Sequence, residues 1–348
     1  VRSLVYAGVR DLQWREASAP SLLGDEDALI RPIAAAACDL DRFIVQGLTP
    51  FPAPFAIGHE AVGEVIDVGE AAAVDGLRPG QVVVIPWHLS CERCSECLAG
   101  RPGNCTATPA MAAFGNPLGG LYGGLFDDVV RVPYASRALT PVPDGVAPAL
   151  AAAVGDNLSD AFGAVAPTLR ANPEARILVM GGLPSLGLLI AAAAATLGAP
   201  EVVYVDEDAD RAQRASMLGA TSVVTGPRPD RVDGRFDLAV EVALDPRALT
   251  VAIRSLRPGG HLVIRSIYFG RTNFPYFEQY TQGVTIHSGL PHVTPHAASV
   301  LELLRTGTLD PTPALTLFEL DAADTVLLEP PPNKPVFLRP ASDGAPST

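Results

Sequence analysis

The sequence predicts an α/β protein in two main parts: a compact β-barrel-like domain over residues 1–150, then a doubly wound parallel sheet over residues 151–290. Three observations carry this expectation. The first 150 residues hold short β-prone runs separated at close intervals by Pro and Gly. From Arg176 onward, strand and helix patterns alternate. The length, 348 residues, suits two domains of the usual ~150 residues each.

In the first part the strand candidates are Ala28 to Pro32, Gly63 to Val68, Gln81 to Ile85 and Asp127 to Val132. In the second, a strand over Ile177 to Met180 precedes a helix over Leu186 to Leu197, then a strand over Val202 to Val205 and a helix over Asp208 to Leu218. Val223-Val224 follows, then a strand over Asp237 to Val242, a helix over Pro246 to Leu256, and strands over His261 to Ile267 and Gly283 to His287. Residues 291–340 carry one helix, His296 to Arg305, and short extended pieces expected to return to the first domain. Residues 341–348 read as a frayed tail.

Composition narrows the function classes. With 48% hydrophobic and 18% charged residues the chain can build a core, which argues against disorder. A net charge of -13 repels a phosphate backbone, so nucleic acid is excluded as a partner. Ile177 to Pro200 is uncharged and long enough to span a membrane, but Gly181, Gly182 and Pro184 break it into a buried strand, a turn and a buried helix. The N-terminus lacks a signal-peptide pattern, so a soluble, cytoplasmic protein without a membrane partner is expected. The one lysine, Lys334, lies in a Pro-rich stretch and is set aside as a Schiff-base candidate.

Four of the five cysteines, Cys91, Cys94, Cys97 and Cys105, form the strongest local signal. Two-residue gaps let successive thiolates converge on one ion, and the longer gap lets the chain loop back with the fourth. Four soft thiolates suit a structural zinc with no open coordination place. An iron–sulfur cluster or a redox thiol pair is the competing reading.

Upstream stand a lone Cys38 and the run Gly58-His59-Glu60-Ala61-Val62-Gly63, with Gly69 six residues on. Taken with the four-cysteine segment and the alternating β/α region, this order resembles the zinc-dependent alcohol dehydrogenases of the medium-chain dehydrogenase/reductase superfamily. The resemblance runs the length of the chain and implies a GroES-like catalytic domain followed by a Rossmann domain. It implies that Cys38 and His59 bind a catalytic zinc, with Asp156 in the place of the third protein ligand. Two zinc ions per chain are thus implied. Glu60 would lie beside the metal, and Asp41 would orient His59. The alternative for Asp156 is a helix N-cap.

The turn Gly181-Gly182-Leu183-Pro184-Ser185-Leu186-Gly187 stands where a dinucleotide fingerprint belongs. Gly182 and Gly187 take the first and third glycine places, but Pro184 occupies the second, where the backbone must approach a pyrophosphate. Asp206 ends the following strand, where an acidic side chain accepts the ribose hydroxyls of NAD and repels a 2′-phosphate, so NAD is favoured over NADP. Arg211 matches a basic position the family uses against the adenosine ribose. The alternative reading of Asp206 to Asp210 is an acidic helix start.

The chain also departs from the family. Leu40 and Phe43 replace the hydroxyl and histidine of the usual proton relay, Asp39 stands where some members place a base, and Arg265-Ser266 replaces a small apolar pair near the nicotinamide. Asp160, four residues after Asp156, would share a helix face with it and offers a substitute proton carrier. The alternative is an exposed Asp in a first helical turn. The activity implied is hydride transfer between NAD(H) and a small alcohol or carbonyl, in a homodimer or homotetramer. A C=C or C=N reductase, a non-redox lyase or cyclase, and a non-catalytic protein on the same scaffold are the rivals.

Overall fold

The structure is a computed structural model. It describes residues 1–340, and the tail expected at 341–348 lies outside the described residues. The chain divides into two compact units: the first is Val1–Ser159 with His292–Arg305 and the segment from Leu315 onward, and the second is Asp160–Pro291 with Thr306–Ala314.

The first unit is built mainly from antiparallel strands. An N-terminal hairpin pairs β1 (Arg2–Gly8) with β2 (Asp11–Glu16), and β1 also pairs with the short β4 (Phe55–Ala56). The larger sheet contains β3 (Ala28–Ala36), β5 (Glu60–Val68), β6 (Val82–Ile85) and β8 (Thr140–Pro141), with β7 (Val130–Val132) paired to β3. The return segment adds β15 (Leu315–Glu319) and β16 (Lys334–Leu338), giving the order β15-β16-β3-β5-β6-β8. Ile30, Val65, Ile85, Phe126 and Phe337 meet in its core. β7 is shorter than the sequence pattern suggests. Asp127 accepts from the backbone N–H of Gly124 (3.1 Å), which fixes a turn and delays the strand.

The second unit is a six-stranded parallel sheet in the order β11-β10-β9-β12-β13-β14. Its strands are β9 (Arg176–Met180), β10 (Glu201–Asp206), β11 (Ser222–Thr225), β12 (Phe236–Glu241), β13 (Leu256–Ile264) and β14 (Thr285–Ser288). The order reverses at β9, so the carboxyl ends of β9 and β12 flank the switch point where ligands bind doubly wound sheets. The apolar runs of β9 and β12 are buried throughout their central residues, as a central parallel strand requires. β13 begins and ends earlier than its hydrophobic pattern, because Leu256 already pairs with Phe236 and the chain leaves the sheet after Ile264. The helix Tyr276–Gln282, which the sequence reading missed, spans only seven residues and buries none of them.

No helix among the described residues is long and apolar enough to cross a membrane.

Candidate metal centres and cofactor turn

Strand register assembles the first cluster. Ala36 of β3 lies opposite Glu60 of β5. Cys38, two residues past the end of β3, is thereby brought to His59 at the start of β5. Cys38 is the N-cap of the helix Asp39–Val45, where its backbone N–H donates to Asp41 Oδ2 (2.9 Å) and its sulfur accepts from the Leu40 N–H (3.5 Å). Asp41 Oδ1 also faces His59 Nδ1 at 3.5 Å, which turns Nε2 toward the other members of the cluster.

Asp156 arrives from a third segment. The 3₁₀ turn Ala152–Gly155 presses against the end of β6 so closely that a Cβ on Gly155 would sit 2.2 Å from the Ile85 carbonyl oxygen. Only glycine permits that approach. Asp156 follows with φ −152° and ψ −89°, outside the helix Asn157–Ala171. Its Oδ2 lies 3.6 Å from His59 Nε2.

Cys38, His59, Glu60 and Asp156 each offer a ligand atom within 4.8 Å of one another. A tetrahedral zinc with ~2.1 Å bonds separates neighbouring oxygen and nitrogen ligands by roughly 3.4 Å, so the spacing of His59 and Asp156 fits such an ion. The electrostatics fit as well. Burial, reinforced by Asp156, pushes the Cys38 thiol up to about 12. Burial pushes Glu60 up to about 8 against the pull of Lys334. Burial also opposes the charge on Asp156 and on His59, but each supports the other's. Asp156 is held below the carboxylate range and His59, with Asp41, well above its ordinary value. Crowded dry anions of this kind are what a divalent cation relieves.

Two further residues brace the cluster, and the sequence reading missed both roles. Lys334 is fully buried, forms an ion pair with Glu60 (Nζ to Oε2, 2.7 Å), and donates from Nζ to Asn157 Oδ1 (2.8 Å) and the Ala37 carbonyl (3.0 Å). Asn157 donates from Nδ2 to Asp156 Oδ2 (3.0 Å) and Cys38 Sγ (3.4 Å). One legible signal was available: a chain that uses Arg for every other strong cation keeps one Lys, next to the start of a strand.

The second cluster is local. Sulfur–sulfur distances are 3.5 Å (Cys94–Cys97), 3.6 Å (Cys91–Cys105) and 3.9 Å (Cys94–Cys105). Four thiolates around one zinc at ~2.3 Å stand roughly 3.8 Å apart, whereas a disulfide needs ~2.05 Å. All four cysteines are free thiols, and backbone N–H groups of Cys91 and Cys94 point at Cys105 Sγ (3.4 Å) and Cys91 Sγ (3.3 Å).

In the second unit the glycine-containing turn joins β9 to the helix Leu186–Thr196. Gly182 has φ +152°, and a Cβ there would meet the Ala243 Cα at 2.8 Å. The Leu183 N–H donates to the Val242 carbonyl (3.0 Å), Ser185 is buried as the N-cap, and Gly187 lets the helix pass Val242. Pro184 lies in the turn ahead of the helix, where the lost N–H breaks no helical bond.

Asp206 is fully buried, and its oxygens accept from Arg211 Nη2 (2.8 Å) and Nε (2.9 Å), Tyr204 OH (3.0 Å) and the Asp208 N–H (2.9 Å). A ribose reaching this carboxylate therefore has to share it with Arg211. The helix-start reading of this segment also has support, but Asp208 is the N-cap, accepting from the Arg211 N–H (2.9 Å). Ser266 donates to Glu241 Oε1 (3.0 Å) and accepts from the Leu244 N–H (2.8 Å), holding the loop after β12.

The expected pairing of Asp156 with Asp160 on one helix face is corrected. Asp156 precedes the helix with a non-helical backbone, so the four-residue spacing does not align the two side chains. Asp160 is not exposed either. It is buried against Arg265, with Oδ1 2.9 Å from Nε. Asp39 is buried, and Leu40 and Phe43 are half-buried.

The chain is similar to known proteins over most of its length. Residues 24–144 match the alcohol dehydrogenase GroES-like domain family, and residues 185–300 match the zinc-binding dehydrogenase family. The chain is 26% identical over 316 residues to a probable zinc-binding alcohol dehydrogenase of Mycobacterium tuberculosis, covering 89% of this chain and 80% of the other. It is 28% identical over 277 residues to the L-threonine 3-dehydrogenase of Chromobacterium violaceum, covering 76% of each. Among solved structures it resembles alcohol dehydrogenase TADH from Thermus sp. ATN1, with a TM-score of 0.87 and 28% identity over 98% of this chain and 100% of that one.

Proposed function

Given that the chain belongs to the zinc-dependent alcohol dehydrogenases of the medium-chain dehydrogenase/reductase superfamily, we propose that Cys38, His59 and Asp156 hold its catalytic zinc and Cys91, Cys94, Cys97 and Cys105 a structural one. The chain is a zinc-dependent, nicotinamide-linked oxidoreductase acting on alcohols. The observation that carries the site assignment is the convergence of a thiol, an imidazole and two carboxylates from three separate segments within 4.8 Å.

When bound, zinc supplies Lewis acidity at the substrate oxygen, and the nicotinamide takes or gives the hydride. The chain's own groups prepare the place. Asp41 holds His59 by Nδ1 and leaves Nε2 free to ligate. Asn157 aims Cys38 Sγ and Asp156 Oδ2 inward by donating to both. Lys334 balances Glu60 and orients Asn157. Burial of these groups keeps bulk water from competing and strengthens each charge interaction. Leu40 and Phe43 move no proton, and Asp160 is held in an ion pair with Arg265, its Oδ1 2.9 Å from Nε.

For the cofactor we infer NAD, bound by the turn 182–187 and Asp206 with Arg211. The support is Asp206-Glu207-Asp208, three successive acidic residues where NADP would bring a 2′-phosphate. A cytoplasmic setting is inferred from the free thiols. A homo-oligomer, dimer or tetramer, is inferred from the exposed aromatics Tyr276, Phe277 and Tyr280 near the edge strand β14. A second reading, reduction of a C=C or C=N bond, is favoured by the apolar pair Leu40 and Phe43, which matter less when no alcohol proton moves. The test is a screen of zinc-loaded protein with NAD and NADP against alcohols, aldehydes and enones. Oxidation of an alcohol with NAD supports the first reading, and turnover of enones alone supports the second.

A further inference from the structure

Glu241 is the last residue of β12, at the switch point of the parallel sheet, and none of the steps above uses it. It is fully buried, and burial pushes its carboxyl up from the ordinary value. Oε1 accepts from the backbone N–H groups of Ala243 (2.7 Å) and Leu244 (2.9 Å) and from Ser266 Oγ (3.0 Å). Ser266 Oγ in turn accepts from the same Leu244 N–H (2.8 Å). Leu244 has φ +53°, in the left-handed region where every residue but glycine is strained. Two acceptors thus converge on the N–H of the strained residue, and such strain persists only where surrounding bonds hold it.

The strained loop grips the turn between β9 and the following helix at three places. The Val242 carbonyl accepts from the Leu183 N–H (3.0 Å). Ala243 lies so close to Gly182 that a Cβ there would meet its Cα at 2.8 Å. Arg228 joins the two segments, donating to Asp245 Oδ2 (3.0 Å) and to the Gly181 carbonyl (3.2 Å). A loop relaxed to an ordinary φ at Leu244 would shift all three contacts. We propose that Glu241 is a positioning residue for the dinucleotide: it locks Leu244 in the left-handed form and so holds the turn 181–187 in the shape that receives the cofactor. This rests on the reading of that turn as the cofactor site.

The test is a fluorescence titration of the zinc-loaded full chain with NADH or NADPH, whichever the wild type binds, and needs no turnover. Glu241→Ala raises Kd by about 5- to 30-fold, the ratio that matches the strain of one left-handed residue. Adding Leu244→Gly brings Kd back to within about threefold of the wild type, because glycine adopts the left-handed form without help. Glu241→Gln, which keeps an acceptor oxygen for the two N–H groups, stays within about threefold. Should Glu241→Ala fail to fold, Ser266→Ala removes the other acceptor of the Leu244 N–H and gives a smaller loss that Leu244→Gly again recovers. An unchanged Kd in the variant that folds, or a loss that Leu244→Gly does not recover, overturns the proposal and leaves the cofactor reading standing. A wild type that binds neither NADH nor NADPH overturns both.

Discussion

The two candidate metal clusters of the first unit, each a group of four residues able to offer a ligand atom, are built in different ways. The thiolate lobe takes its four sulfurs from a stretch of 15 residues, Cys91 to Cys105, and its own backbone N–H groups point at the sulfurs. The other cluster draws Cys38, His59 with Glu60, and Asp156 from three segments, and Lys334 reaches it from near the end of the chain. The lobe has four equivalent soft donors and nothing further to orient. The dispersed cluster mixes sulfur, nitrogen and oxygen, and each donor is held by a second group. A site needed only for stability can be assembled locally, whereas one that keeps a coordination place for substrate depends on the whole barrel to hold it.

The largest expected effect breaks the dispersed cluster alone. Cys38→Ser or His59→Ala lowers kcat by about 10⁴-fold or more. Circular dichroism and the thiolate lobe's zinc stay as in the wild type. Next, Lys334→Met leaves the Glu60 carboxylate buried without its cation and destabilises the protein by about 3–5 kcal/mol in denaturant titration. Adding Glu60→Gln recovers part of that, and a loss unchanged by the second substitution would mean that packing, not charge, is what Lys334 supplies.

Asp127 gives the contrasting case of a buried carboxyl without a cation. It accepts from Ser3 Oγ (2.6 Å) and the Gly124 N–H, and burial pushes it up to about 6. Between its free value of about 4 and that value the folded chain holds more protons than the unfolded one, so stability falls as pH rises through this window. The fall attributable to Asp127 is about 1–3 kcal/mol, and Asp127→Asn removes it in thermal melts from pH 4 to 6.5. The smallest effect on turnover belongs to the lobe. Cys97→Ser raises hydrogen exchange around residues 91–105 but leaves kcat within about threefold. A collapse of kcat as large as that of Cys38→Ser would erase the distinction between the clusters.

The same difference governs what could be read from the sequence. The thiolate lobe was legible because its ligands are close in the chain, and spacing alone describes it. The parallel sheet was legible because the buried strands Ile177 to Met180 and Asp237 to Val242 are continuous apolar runs. Cys38, His59 and Asp156 could be named only through the family order of motifs, since the β3–β5 register that joins them leaves no local trace. Lys334 was set aside because a Pro-rich context says nothing about what lies across the sheet. Asp160 was misplaced because the spacing rule assumes that the helix has already begun at Asp156.

The most direct test of the dispersed site is zinc content against activity, in wild type and in His59→Ala, after exhaustive loading and removal of loose metal. About two zinc ions per chain are expected in the wild type and about one in the variant, with alcohol oxidation lost together with the missing ion. A fully loaded wild type that keeps a single zinc, released only when Cys97 is replaced, would contradict it.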